Sequence, residues 1–235
     1  MSAYPVGMAS IWKGSLAFGL VNIPVELRPA IRSTEKVSFR QLDKKHHKPI
    51  KLERVSTVDG KTVEWDDIVK GYEISKGKFV IVDDNDFKSA APELTRVLEM
   101  TDFVPAESID PRYFDTPYFL LPQKGGEKAY VLLRDALAET GKIGIGTFAL
   151  RQKQHLAAVK AIGNALVLEL MRFEDELVDP DDLKFPTAAQ TKVRPQERQM
   201  AEQLIANLAE EFDPSQYKDI YQDKLKAIIK AKAKG

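Results

Sequence analysis

The sequence predicts a mainly β protein of the α+β class: a barrel-forming sheet of short strands, an extended basic arm and a C-terminal helical region. Three observations predict it. Short apolar runs bounded by Gly, Pro, Asn and Asp fill the first two thirds of the chain. Apolar residues take three-to-four spacing only near residues 127–139 and again beyond Pro195. Basic residues gather on and around two runs joined by a tight Asp59-Gly60 turn. The expected organisation is an N-terminal segment over 1–9 outside the fold (Met8 offers a second start), a barrel over 10–185 with the arm at about 28–65, and helices over 186–235.

Trp12, Leu16, Phe18, Leu20, Val21, Ile23, Val25 and Leu27 favour one long extended segment over 12–27, which Gly14 and Gly19 bend and in which Pro24 belongs at an edge or a break. Further strands are expected at 37–42, 50–57, 62–65, 78–82, 95–104, 117–121, 143–150, 155–161 and 165–173. Asp59-Gly60 and Gly163-Asn164 supply residues that tolerate positive φ and so mark hairpin turns. Val131, Leu132, Ala136 and Leu137 define a helix that Gly141 stops, placed as a lid on the barrel. Pro195 opens a helix carrying Met200, Leu204, Ile205 and Leu208. Asp213-Pro214 breaks it, and a second helix carries Ile220, Tyr221, Leu225, Ile228 and Ile229. Both are too short to stand alone, so their apolar faces are expected to dock.

The 235 residues include no cysteine, which removes disulfides, thiolate metal sites and cysteine nucleophiles and fits a reducing, cytoplasmic compartment. No apolar run reaches the length of a membrane span, and the N-terminus lacks a signal-peptide pattern. The formal net charge is zero, but it is unevenly spread. From residue 28 to 61 ten bases face four acids, whereas from 62 to 120 six bases face thirteen acids. That polarity suits a protein offering one face to phosphates and keeping the rest from sticking.

Other patterns carry less. Asp83-Asp84-Asn85-Asp86 lacks the glycine and closing glutamate of a calcium loop and reads as a solvated helix start. Gly144 and Gly146 alternate along a strand, without the strand-turn-helix order of a dinucleotide site, and read as barrel curvature. His46 and His47 are adjacent, so on a strand they point opposite ways and do not share a metal. No nucleophile-base pair stands out, no cofactor is expected, and Tyr113, Phe114, Tyr118 and Phe119 read as core or interface residues.

The stretch 11–27, IWKGSLAFGLVNIPVEL, closely resembles the opening of the bacterial Ku family, the DNA-end-binding proteins of non-homologous end joining. Asp67 to Glu73 (DIVKGYE), Ile109 to Phe114 (IDPRYF), Gly125 to Tyr130 (GGEKAY) and Glu211 to Pro214 (EFDP) match it in the same order, so the resemblance runs from about Ser10 onward. It implies a homodimer whose barrels join and whose arms meet in a preformed ring that threads onto a free duplex end. It also implies recruitment of the ATP-dependent ligase of end joining, no catalysis, and a nucleoid-associated cytoplasmic protein.

An arm strand of about twelve residues reaches about 40 Å, comparable with half the circumference of a duplex. The contact pool for phosphates is Arg28, Arg32, Lys36, Arg40, Lys44, Lys45, Lys48, Lys51, Arg54 and Lys61 in the arm, with Lys13, Arg151 and Lys153 at strand ends. About half of these should face DNA, because side chains alternate along a strand. Some family members carry arm cysteines able to hold zinc; residues 43–60 here have none. Two alternatives stay open: a single-stranded DNA-binding barrel that stacks bases on aromatics, and a small metal-dependent barrel enzyme built on the acids near Asp83.

Overall fold

A computed structural model describes residues 9–32, 37–90 and 95–234. The chain divides into two compact units, one formed by residues 1–32 and 48–177, the other by 33–47 and 178–235. Of the expected N-terminal segment 1–9, only Ala9 lies among the described residues.

The first unit holds a closed barrel. Its strands are β1 (Trp12–Phe18) and β2 (Val21–Pro29), then, after a separate ribbon of β3 (Lys70–Ser75) and β4 (Lys78–Val82) and the helix α1 (Asp84–Ala90), β5 (Val97–Pro105), β6 (Phe114–Pro122), β7 (Lys142–Leu150), β8 (Lys153–Ile162) and β9 (Ala165–Met171). The barrel order is β1-β2-β6-β9-β8-β7-β5, closed by β5 lying parallel to β1 through Ser15↔Val97, Leu16↔Leu98 and Ala17↔Glu99. All its other pairings are antiparallel.

Closure depends on glycine where strands crowd. A Cβ on Gly146 would lie 2.0 Å from the Glu99 carbonyl oxygen, and one on Gly14 would lie 2.2 Å from that of Arg96. The β5–β7 register shifts between Met100 and Asp102, opposite this glycine, so bulge and glycine together turn the sheet. Pro24 sits one residue beyond Val25, the last position that β2 shares with β6, where a missing N–H costs no ladder bond.

Leu16, Ile23, Val25, Leu27, Leu98, Leu120, Val159, Leu166 and Leu168 fill the barrel and are at most 1% exposed. Helix α2 (Glu127–Thr140) packs against β2, β7 and β8 and adds Tyr130, Leu133 and Leu137 to the same cluster. The Tyr130 hydroxyl donates to the Leu120 carbonyl at 2.8 Å and accepts from the Leu166 N–H at 2.7 Å, so helix and sheet share a buried polar link. Burial pushes this phenol above its ordinary pKa. Gly141 ends the helix in the left-handed region, at φ 63°.

In the second unit are α3 (Ala188–Thr191), α4 (Pro195–Asn207), with Pro195 in its first turn, and α5 (Ile220–Lys232), capped by Asp219. Leu204 and Ile205 of α4 and Ile220 and Tyr221 of α5 are exposed.

Three expectations are corrected. The segment 12–27 is a hairpin, not one strand: Gly19 takes φ +55° and Leu20 stands fully exposed at the tip. The apolar alternation continues through this turn, so periodicity hides the reversal. Strand β3 had no counterpart in the expected list, because Lys70, Gly71 and Glu73 break its pattern. Conversely, 37–42, 50–57 and 62–65 form no continuous ladder among the described residues, only isolated bridges such as Val55↔Thr62. Leu42, Ile50, Leu52 and Val58 there find no core to pack on and remain exposed.

Candidate nucleic-acid interface

The arm bases fall into local clusters fixed by short-range bonds. In the second unit, one Asp43 carboxylate oxygen accepts from the Lys45 N–H at 3.0 Å and the His46 N–H at 2.7 Å and stands 3.1 Å from His46 Nδ1. The His47 N–H reaches back to the Asp43 carbonyl at 2.9 Å, with His47 itself at φ 55°. This knot folds 43–47 into a turn that exposes Lys44 and Lys45, and Arg40 is exposed just before it. Among the described residues no carboxylate pairs with these three side chains.

In the first unit, the Asp59-Gly60 turn closes as expected. The Ser56 N–H donates to the Lys61 carbonyl at 2.8 Å, the Val63 N–H donates to the Arg54 carbonyl at 2.9 Å, and Gly60 has φ 69°. The Arg54 guanidinium lies 3.8 Å above the Trp65 ring, which holds the cation in place without neutralising it. Lys51 pairs with Glu53 at 3.1 Å and Lys61 with Asp59 at 3.3 Å. The Asp59 carboxyl is held below the usual carboxylate range, first by the Lys61 backbone N–H and then by its ammonium.

Glu26 organises a third cluster, with Arg28 at 2.6 Å and Lys13 at 3.8 Å. The Arg28 side chain is only 18% exposed, so it serves the barrel surface more than a ligand. Arg151 and Gln152 make the β7–β8 turn with φ of 52° and 68°, a conformation that favours Gly or Asn, and Lys153 follows at the start of β8. Arg32 and Lys48 are exposed, and Lys36 lies outside the described residues. The structure thus brings together Lys13 with Arg28, Arg151 with Lys153, and Lys51, Arg54 and Lys61 around one hairpin.

Sequence reasoning missed the residues that tune these cations. Glu26–Arg28, Lys51–Glu53 and Asp59–Lys61 are all two apart; on extended backbone, as in β2, such residues share a face, and the Asp59-Gly60 turn brings the third pair together. That spacing was readable as local neutralisation. Trp65 as a platform for Arg54 was not, because the stack depends on the hairpin closing first.

The acidic run near Asp83 is a helix start: Asp83 accepts from the Asn85 N–H at 2.7 Å and the Asp86 N–H at 3.0 Å, while Asp86 accepts from the Asp83 N–H at 2.9 Å. Among the described residues no three His, Asp or Glu gather to hold a metal ion, and no helix is long and apolar enough to cross a membrane. Tyr113, Phe114 and Tyr118 pack against the buried clusters.

The family model of the Ku70/Ku80 beta-barrel domain matches residues 17–201. The chain is 48% identical over 225 residues to the Non-homologous end joining protein Ku of Opitutus terrae, covering 96% of this chain and 80% of that one. Proteins of the same name from Cupriavidus necator and Coxiella burnetii are 42% and 40% identical, over 94% and 95% of this chain and 66% and 82% of theirs. A domain match across most of the chain, on a barrel closed as described, together with relatives this similar, establishes that the chain belongs to the Ku family.

Proposed function

We propose that this protein binds double-stranded DNA ends without sequence preference as a homodimeric ring in non-homologous end joining, and that it recruits an ATP-dependent DNA ligase. The observation that carries the reading is membership of a family whose similar proteins are named for end joining. The distribution of cations supports it, since Arg40, Lys44, Lys45, Arg54, Arg151 and Lys153 are held out by turns or a ring stack rather than by carboxylates. Contacts of that type read the phosphate backbone and ignore sequence, so discrimination rests on topology: a ring admits a molecule with an end.

Competition tests it. Linear blunt duplex should displace labelled duplex efficiently, while covalently closed relaxed circles of the same sequence should compete poorly at equal salt. Equal competition would reduce the interaction to generic adhesion. Stronger displacement by unpaired strands would favour a single-strand binder instead.

A further inference from the structure

Arg40, Lys44 and Lys45 stand on a segment whose first residues, 37–41, form neither strand nor helix. What holds that stretch comes from the far end of the chain. The Val37 N–H donates to Gln222 Oε1 at 3.3 Å, across 185 residues of sequence. Both partners belong to the second unit.

Gln222 is itself firmly placed. It lies in the first turn of α5, where the Asp219 carboxylate accepts its backbone N–H at 3.0 Å. Gln222 and Leu225 are half-buried, and every other residue of α5 is exposed. Residues three apart share a helix face, so the bond turns the Gln222–Leu225 stripe toward Val37. Among the described residues of 37–47 the half-buried ones are Val37 and Asp43. Asp43 ties the turn that exposes Lys44 and Lys45. The two covered points therefore bracket Arg40 and adjoin both lysines. Without them the stretch would sample many conformations, and DNA would have to order it on binding.

We infer that α5 clasps the root of this basic segment, with Gln222 as the positioning residue that presents Arg40, Lys44 and Lys45 to phosphates. The inference rests on the DNA-binding reading above and gives the C-terminal helix a part in it. Gln222 is neutral, so it acts through where the cations stand and not through charge of its own.

A double-mutant cycle on the full chain with a short labelled duplex tests it. Gln222→Leu removes the acceptor and keeps a good helix former. It should weaken duplex binding about 5-fold, because the released segment must be ordered on binding. In a chain already carrying Arg40→Gln/Lys44→Gln/Lys45→Gln, the same change should cost less than about 1.5-fold. Amide exchange read by NMR gives an independent measure: Val37 should lose protection in Gln222→Leu and keep it in Gln222→Glu, which retains an acceptor oxygen. Equal losses of affinity in the two backgrounds would overturn the assignment. So would unchanged affinity in Gln222→Leu, or a Val37 amide that exchanges as fast in wild type as in that variant. Those three results leave duplex binding by the wild type standing. A wild type that binds no duplex would overturn the reading and the inference together.

Discussion

Replacing Lys44 and Lys45 by glutamine should change the salt dependence of duplex binding far more than replacing Lys51 and Lys61. Each phosphate neutralised by a protein cation contributes about 0.9 to the slope of log affinity against log salt. Lys44 and Lys45 are exposed on a turn held by Asp43 through backbone N–H groups, and among the described residues no carboxylate pairs with either ammonium. Their loss should therefore lower the slope by about 1.8 per copy and about 3.6 for a ring of two. Over a four-fold rise in salt, that amounts to roughly 150-fold less loss of affinity in the variant than in wild type. Lys51 and Lys61 each carry a carboxylate at 3.1 Å and 3.3 Å, so they bring little net charge to a phosphate. Their double variant should change the slope by less than about half as much. Anisotropy of a short labelled duplex titrated at several KCl concentrations reads both. Equal changes in the two variants would refute the argument that neighbouring carboxylates cancel these cations. An unchanged slope in the first would remove the 43–47 turn from the interface, and a change near 1.8 would place one turn, not two, on each duplex.

Three other outcomes are expected. Arg151→Gly should raise stability by about 1 kcal/mol in chemical denaturation, because the left-handed backbone at φ 52° penalises a side chain, yet weaken DNA binding; binding left unchanged would free Arg151 of any contact role. Tyr130→Phe should cost about 1–3 kcal/mol by leaving the Leu120 carbonyl or the Leu166 N–H unsatisfied in the core. In wild type the folded phenol, its pKa raised by burial, keeps a proton that the unfolded chain releases above about pH 10. Stability should thus be full below that pH and fall above it, and the variant should show a shallower alkaline fall in urea midpoints measured from pH 8 to 11. Gly146→Ala drives a methyl to within 2.0 Å of the Glu99 carbonyl oxygen, so a melting temperature within a degree of wild type would contradict the closed β5–β7 seam.

Much of the barrel was readable from local chemistry. Runs of β-branched and apolar residues located β5 through β9 to within a few residues, Gly163-Asn164 placed a turn, and Pro195 and Gly141 bounded helices. These signals succeed because each acts on its own backbone. The reversal at Gly19 escaped, since Leu20 and Val21 continue an apolar run although one is at a tip and the other enters the next strand. The arm was over-read as strand, because basic residues next to valine and isoleucine satisfy the pattern without a core to hold a ladder.

By itself, then, the amino-acid order determined where backbone could extend, turn or coil, which family the chain resembles, and which stretch is rich in positive charge. Tertiary structure alone decided that β5 returns to lie parallel to β1, that the Arg54 guanidinium stacks on the Trp65 ring, and that β3 and β4 pair with each other in a separate two-stranded sheet. The reason is physical: closure, pairing and exposure depend on distances between residues far apart in the chain or across a turn. No local preference encodes those distances until the barrel has formed.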